Sequence, residues 1–374
     1  MNKIDTVNAF GTMYNVAADS ENVAYSGNDV TNIKEAIDDL YERTEDSGGS
    51  SGGGGDTVVS AAPYFLNGKL PVWKDNLKIL FIANSFVNRS FNWELVNVLN
   101  GINAANPNSP ITGENLKIEQ FYRGGASMTT FLERLKNFPH VQDYYNKIEY
   151  NNGTWSLVGT AKGIQDAIES DAWDVIILQA WPSLNTNGES ASDYDTFKDT
   201  LKEFIFQIRK LCPNPAVCIG LNMIWPCGNT VFTMPNFMNN YNGICNATKQ
   251  MISDSGVDVI IPSGTAMANA VNTNTFNGAN THFMMRDIVH AGKGVAEYII
   301  ACTIYEAVLA PVLKQSMLNI TAVPPVNEND AGSNAYPQAN IPVSAENLGL
   351  CHEIALHAVC DMYNVDTTID PIIS

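Results

Sequence analysis

The sequence is poor in basic residues, which excludes several kinds of partner. Among its 374 residues, 21 are Lys or Arg and 39 are Asp or Glu, giving a net charge of −18. Proteins bind nucleic-acid phosphates through a basic surplus that releases counterions, so we expect no nucleic-acid partner. Anionic membrane surfaces are disfavoured for the same reason.

Cysteine is also scarce, and the sequence shows no pattern typical of a leader peptide or of an uninterrupted membrane span. The seven cysteines are odd in number and form no CxxC pair, so we expect buried reduced thiols and synthesis in a reducing cytoplasm. The N-terminus has no basic start followed by an apolar core, so we expect no signal peptide. The longest apolar region, Val295–Leu313, contains Glu297 and Glu306 and predicts an amphipathic core helix instead of a membrane span.

A run of only glycine and serine divides the chain. We interpret residues 47–56 as a flexible linker. It follows a small module, residues 1–46, and precedes a large domain, residues 57–311. Residues 312–374 form a C-terminal extension that begins without a regular period and ends in a helix, which we expect to pack on the domain.

The small module combines a strand pair with a helix. Thr6–Val16 alternates like two strands with a turn at Phe10–Gly11, and Thr31–Tyr41 carries an apolar stripe of helical period. Glu21–Leu40 resembles short N-terminal repeats of bacteriophage fibre and tail proteins. The resemblance implies attachment to phage structural proteins, incorporation into a virion and a homo-oligomer, commonly a trimer. An unrelated helical attachment segment is the alternative, and a module this short rarely folds alone.

Strands and helices alternate after the linker. The predicted strands are Lys78–Ala83, Leu116–Tyr122, Asp174–Gln179, Ala216–Met223 and Val257–Pro262, and the predicted helices are Trp93–Ala104, Thr129–Asn137, Ala161–Ser170, Tyr194–Cys212, Asn236–Ser255, Gly292–Leu309 and Ala345–Tyr363. Short apolar runs separated by helical patterns predict a three-layer α/β/α fold with a mostly parallel five-stranded sheet. Asn151–Gly153 adds a hairpin signal.

Two motifs supply the groups of an acyl-transfer site. The first predicted strand runs into Ile79-Leu-Phe-Ile-Ala-Asn-Ser-Phe86, and Asp287-Ile-Val-His290 precedes a long helical pattern. A serine hydroxyl needs a neighbouring base to become nucleophilic, and a carboxylate orients that base. Ser85, His290 and Asp287 are therefore a candidate triad. The structural alternatives are helix capping for Ser85 and Asp287, and a surface position for His290.

These motifs resemble those of the SGNH (GDSL-like) hydrolases. In the most similar branch the first block reads "ILxIGNSFxxD", and the last is D-x-x-H followed by a glycine and a helix. The resemblance implies a flavodoxin-like fold and a cofactor-free esterase in which Ser85 attacks, His290 is the base and Asp287 orients it. This chain has Ala83 where the branch has glycine, and it lacks the family's GxND block. These departures bear on the catalytic rate more than on the type of reaction.

The same resemblance assigns the oxyanion hole, where fixed donors stabilise developing negative charge. It implies the backbone N–H of Ser85, a glycine after the second strand and a side-chain amide. Gly125 and Gln179 are the candidates, although Gly125 could be a plain turn glycine and Gln179 has a longer arm than the family's Asn. Weaker candidates for substrate binding are Asn84, Trp181, Asn222 and Trp225.

The predicted activity is that of a serine esterase, and the resemblance favours an O-acetyl esterase acting on carbohydrate. The substrate is then an acetylated glycan or another small ester. A glycan- or receptor-binding fibre module with little turnover is the alternative, and a lipase or thioesterase is less favoured because no apolar lid is apparent. A metal site of His282, Asp287 and His290 is also less favoured, because three candidate ligands in one loop are weak evidence for a fixed coordination site. We therefore expect no metal and no cofactor.

Overall fold

In a computed structural model the chain divides into two units, Met1–Ser60 and Ala61–Ser374. The structure describes residues 76–179, 198–228, 231–313, 315–325 and 335–371, together with the backbone of two short strands near the N-terminus. These strands, β1 (Thr6–Ala9) and β2 (Thr12–Asn15), pair antiparallel, which confirms the predicted strand pair. The predicted helix at Thr31–Tyr41 lies outside the described residues.

One seven-stranded sheet forms the core of the large unit, in the order β6-β5-β4-β3-β7-β8-β9. Its strands are β3 (Leu77–Ala83), β4 (Leu116–Tyr122), β5 (Asp143–Asn151), β6 (Thr154–Lys162), β7 (Val175–Gln179), β8 (Cys218–Asn222) and β9 (Val259–Ile261). Five of the strands, β4, β3, β7, β8 and β9, run parallel. This confirms the predicted mostly parallel sheet, but the predicted total of five strands was wrong, because a hairpin joins the same sheet. β5 and β6 extend it as an antiparallel hairpin.

The hairpin turn is set by Asn152 and Gly153. Both have positive φ, 51° and 87°, as a two-residue type I′ turn requires. The predicted hairpin is therefore confirmed. Its second strand continues to Lys162, so the helix predicted at Ala161–Ser170 begins later than expected, because cross-strand pairing with β5 holds Ala161 in the sheet.

Helices cover both faces of the sheet. They are α1 (Val96–Ala105), α2 (Met128–Asn137), α3 (Ile164–Glu169), α4 (Lys198–Leu211), α5 (Met234–Ser255), α6 (Ser263–Val271), α7 (Val295–Ile304) and α8 (Leu348–Cys360). Helices α2 to α5 pack in one group, and α6, α7 and α8 pack in another with the π-helical turn Ser90–Leu95 that leads into α1. The connection from β3 to β4 runs one way along the sheet, and the connections from β4 to β7, β8 and β9 run the other way. Because crossovers between parallel strands are right-handed, the two groups lie on opposite faces. The three-layer prediction is thus confirmed.

The apolar helix α7 is buried on every side. All of its residues are buried, including Glu297, so the prediction of an amphipathic helix was wrong. By length and composition Val295–Leu313 could cross a membrane, but 83% of its apolar window is buried within the domain, as expected of a core helix. All seven cysteines are free, and six of them are buried as predicted.

The segment that follows α7 packs back onto the domain. Met317 and Ala339 are completely buried. In the final helix α8, the Nε2 atom of His352 lies 3.0 Å from the hydroxyl of Tyr298 in α7. The C-terminal part of the chain therefore contributes to the same core.

The strand order reverses at β3. The next strand along the chain, β4, lies on one side of β3, and β7 lies on the other. Open α/β sheets bind ligands in the crevice that such a reversal leaves beyond the carboxyl ends of the strands. Ser85 comes two residues after the last residue of β3, so the topology places its side chain at this crevice.

Candidate active site

The sheet fixes the position of Ser85. The strand β3 that precedes it is almost wholly buried and pairs with β4 on one side and β7 on the other. Just past its end, the N–H of Asn84 donates to the carbonyl of Gln179 over 3.2 Å. Ser85 itself is partly exposed. Its Oγ lies 2.9 Å from Nε2 of His290, within reach of a proton transfer.

The carboxylate of Asp287 holds the imidazole of His290 from the other side. Its Oδ2 lies 2.8 Å from Nδ1 of His290, and its Oδ1 accepts from the N–H groups of His290 at 2.8 Å and Val289 at 2.9 Å. Burial alone would raise the pKa of Asp287, but these hydrogen bonds outweigh it and lower the pKa to about 2. Asp287 is therefore ionised at neutral pH and fixes a proton on Nδ1, which leaves Nε2 to accept one.

The Asp287 and His290 side chains sit on a tight hairpin-like loop. The N–H of Arg286 donates to the carbonyl of His290 over 3.0 Å, and the N–H of Gly292 donates to the carbonyl of Met284 over 2.7 Å. Gly292 has no room for a side chain, because a Cβ there would lie 1.9 Å from the carbonyl oxygen of Ala339. The glycine that follows the D-x-x-H motif thus permits close packing of the C-terminal segment against the loop.

Trp225 supports the loop from behind. Its Nε1 donates to the carbonyl of Val289 over 3.0 Å. The ring of Phe86 packs against both Trp225 and His290, with centroid separations of 5.4 and 6.1 Å. Trp225 is completely buried, so the prediction that it binds substrate is corrected: the ring has no surface to offer and instead fixes the loop.

Gln179 and Asn222 form a buried hydrogen-bonded pair beside the nucleophile. Each is 1% exposed. Asn222 Nδ2 donates to Oε1 of Gln179, and Asn222 Oδ1 accepts from the hydroxyl of Ser263 over 2.6 Å. Because its oxygen is occupied, Gln179 is left with Nε2 as its remaining donor, a buried atom with no partner among the described residues. Asn222 thus orients Gln179, and its predicted contact with substrate is corrected, since its amide is engaged inside the core.

Asn84 ties the loop of Gly125 to the nucleophile. Its Nδ2 donates to the carbonyl of Ala126 over 2.9 Å, and its Oδ1 accepts from the N–H of Phe86 over 3.1 Å. Asn84 is 4% exposed and both ends of its amide are engaged within the protein, so its predicted substrate contact is corrected to a structural tie. Gly125 is exposed and has a φ of +67°, a left-handed conformation that favours glycine.

Two further candidates are Trp181 and His282. Trp181 falls in the stretch that the structure does not describe. The ring of His282 stacks on Phe232, with centroids 3.9 Å apart, and burial lowers its pKa. Within the described ranges, no three His, Cys, Asp or Glu side chains are grouped to hold a metal ion.

An aromatic pair borders the crevice at the same edge of the sheet. Tyr122 pairs with Ala83 across the sheet, and Tyr144 pairs with Tyr122, so the three side chains lie in one row. The two rings lie 6.0 Å apart, and Tyr144 is 68% exposed. Tyr144 was not predicted as a site residue, because a tyrosine in a strand pattern gives no sign of its exposure.

Three charged residues behind the site were also missed. Glu297 contacts Arg89 and Arg286, and all three side chains are at most 11% exposed. The sequence offers one weak signal, a glutamate within the apolar run that becomes α7. Its partners come from other segments, which the sequence alone does not bring together.

Comparison with known proteins identifies one family and several similar solved structures. A family model described as a domain of unknown function, DUF4886, matches residues 78–336. A DUF4886 family protein from Bacteroides uniformis is 24% identical, with 78% of this chain and 98% of that chain covered and a TM-score of 0.56. Lower TM-scores, 0.41 and 0.37, relate the chain to an acetyl xylan esterase (15% identity; 62% of this chain and 100% of that one) and a GDSL-like lipase from Parabacteroides merdae (14% identity; 63% and 98%). No curated protein matches the chain.

Proposed function

The chain belongs to the DUF4886 family, and we propose that it is a serine esterase of the SGNH type. The observation that carries this proposal is the contact of 2.9 Å between Ser85 Oγ and His290 Nε2, with the Asp287 carboxylate 2.8 Å from the far ring nitrogen. This arrangement activates a hydroxyl at neutral pH, because the imidazole accepts its proton while the ionised carboxylate stabilises the imidazolium. No step requires a cofactor.

The proposed reaction proceeds in two halves. Ser85 Oγ forms a bond to the ester carbonyl carbon as its proton passes to Nε2 of His290. The tetrahedral intermediate collapses, the C–O bond to the leaving alcohol breaks, and the imidazolium returns the proton to that alcohol. Water then attacks the acyl-serine with His290 as base, which releases the acid and restores the Ser85 hydroxyl.

The proposed oxyanion hole combines the N–H groups of Ser85 and Gly125 with Nε2 of Gln179. Two features support it: the Asn84 tie brings the Gly125 loop to the nucleophile, and the hydrogen bond from Asn222 leaves Nε2 of Gln179 without a partner among the described residues. Donors fixed before the reaction stabilise developing charge without reorganisation, so each is expected to contribute several kcal/mol at most, about 3–4.

We further propose that the substrate is an O-acetylated carbohydrate. The exposed ring of Tyr144 and its neighbour Tyr122 offer an aromatic surface one or two strands from Ser85. Aromatic faces pack against the apolar faces of sugar rings, and the tyrosine hydroxyls can form hydrogen bonds. The net charge of −18 favours neutral over polyanionic glycans.

Two assays on the purified full-length chain test this proposal. Hydrolysis of p-nitrophenyl acetate measures esterase activity independently of sugar recognition, and acetate release from a panel of acetylated polysaccharides measures the substrate class. The proposal expects both to be positive. Activity on the nitrophenyl ester alone would retain the esterase and reject the carbohydrate. A folded chain that binds glycans but hydrolyses neither substrate would favour the binding module instead.

A further inference from the structure

A buried carboxylate bridges the two segments that carry the catalytic groups. Glu297 Oε2 lies 2.6 Å from Nε of Arg89, and Glu297 Oε1 lies 2.8 Å from Nη1 of Arg286. Arg89 follows Ser85 by four residues, and Arg286 immediately precedes Asp287. The three side chains form what we call the Glu297 bridge.

We infer that Glu297 is a positioning residue, which holds the nucleophile segment and the Asp287–His290 loop at their working separation. The inference rests on the proposed esterase function. Each oxygen of the carboxylate takes one guanidinium, so a single side chain in α7 fixes both segments at once. Charge-assisted hydrogen bonds of this kind are short and directional, whereas apolar packing alone would permit sliding.

The backbone around Arg286 transmits the constraint to the base. Its N–H donates to the carbonyl of His290 over 3.0 Å, and its carbonyl accepts from the N–H of Tyr336 over 2.8 Å. With the main chain held on both sides and the side chain held by Glu297, a movement of Arg286 would carry Asp287 with it. A displacement of about 1 Å in a catalytic group can reduce the rate roughly 100-fold.

The segment on the nucleophile side contains an irregular helical turn. After Ser85 the chain enters the π-helical turn Ser90–Leu95, an irregular element that is often found at functional sites. The contact from Arg89 to Glu297 spans 208 positions of the chain and anchors the turn against the core helix α7.

The test compares Glu297→Gln with Glu306→Gln. Both residues are buried glutamates in the same helical run, 3% and 7% exposed, but Glu306 accepts from Ser316 and Met317, which lie away from the catalytic segments. The glutamine at 297 keeps the shape but cannot accept from both arginines. At a temperature where each variant is fully folded, we expect kcat on p-nitrophenyl acetate to fall roughly 10- to 100-fold for Glu297→Gln, with KM little changed, and to stay near wild type for Glu306→Gln.

A crystal structure of Glu297→Gln supplies a readout that does not depend on activity. We expect Ser85 Oγ and His290 Nε2 to move out of hydrogen-bond reach. An unchanged distance, or a kcat equal to wild type, would overturn the inference. If the glutamine variant does not fold, Glu297→Asp decides: it keeps the charge, and a wild-type kcat with this shorter arm would equally overturn it. Wild-type protein without esterase activity would instead reject the proposed function.

Discussion

Ser85 Oγ and His290 Nε2 lie 2.9 Å apart although 205 positions of the chain separate the two residues. The contact arises because β3 ends at the reversal point of the sheet, while the loop before α7 folds back to the same edge. Trp225 and the Glu297 bridge hold that loop in place. The geometry of the candidate site is therefore a property of the packed domain and not of either motif alone.

Replacement of Asp287 by asparagine is expected to reduce kcat by about 10³- to 10⁴-fold. The amide of Asp287→Asn can donate to Nδ1 of His290, which would leave the imidazole proton on Nε2 and remove the base. Steady-state hydrolysis of p-nitrophenyl acetate measures the effect. Asp171→Asn is the matched control. Hydrogen bonds from Lys117 and Lys78 outweigh the effect of burial on Asp171 and lower its pKa to about 2, the same value as for Asp287. A wild-type kcat for Asp287→Asn would contradict its proposed role.

Replacement of Gln179 by methionine is expected to reduce kcat about 10²- to 10³-fold, since it removes one proposed oxyanion donor at nearly constant volume. Gln120→Met is the control. Gln120 is also buried in the sheet, its Oε1 accepts from Asn146, and its Nε2 likewise lacks a partner among the described residues. Both variants should lose some stability, and equal losses of kcat in the two would argue against a specific role for Gln179.

Replacement of Glu94 by glutamine is expected to stabilise the protein at alkaline pH. Burial, chiefly, raises the pKa of Glu94 from 4.5 to about 7. The folded state then keeps a proton that the unfolded state releases, so wild-type stability falls as the pH rises from about 4.5 through 7. Urea unfolding at pH 5 and pH 8 should show Glu94→Gln gaining about 2–3 kcal/mol relative to wild type over this range.

Exposed Glu133→Gln serves as the control for that experiment and should show no comparable gain. A Glu94→Gln variant whose stability relative to wild type is the same at both pH values would contradict the expected pKa.

Replacement of Tyr144 by alanine is expected to separate sugar recognition from chemistry. Loss of one aromatic contact of about 0.5–1.5 kcal/mol corresponds to a roughly 2- to 10-fold lower kcat/KM on an acetylated oligosaccharide. Hydrolysis of p-nitrophenyl acetate should not change. Phe206→Ala removes another exposed ring, 61% exposed on α4, and should affect neither substrate. Equal effects of Tyr144→Ala on both substrates would remove the support for a sugar contact.

Much of the fold could be predicted because its signals are local. The run that forms β3 is apolar throughout, as a strand buried on both faces must be, and the turn at Asn152–Gly153 is specified by its two residues. Helix α6 was missed because all of its residues are buried, so its sequence shows no amphipathic period. The phage resemblance of residues 1–46 stays a prediction, since most of that module lies outside the described residues.

The candidate site was predictable where a motif places a residue at a strand end or on a short loop. Ser85 follows a buried strand, Gln179 is the last residue of another, and Asp287 lies three residues from His290. The supporting contacts were not predictable, because they depend on the register between strands and on packing across the sheet. The link from Asn222 to Ser263 joins residues 41 positions apart, and neither has a neighbour in sequence that signals the contact.

The central claim is that Ser85 is an activated nucleophile, and covalent labelling tests it most directly. A fluorophosphonate probe, followed by peptide mass spectrometry, should modify Ser85 of the wild-type protein, leave Ser85→Ala unlabelled and label the control variant Ser156→Ala, which loses an exposed serine of β6, as fully as wild type. Labelling that persists in Ser85→Ala, or a folded wild-type chain that the probe does not modify, would contradict the account.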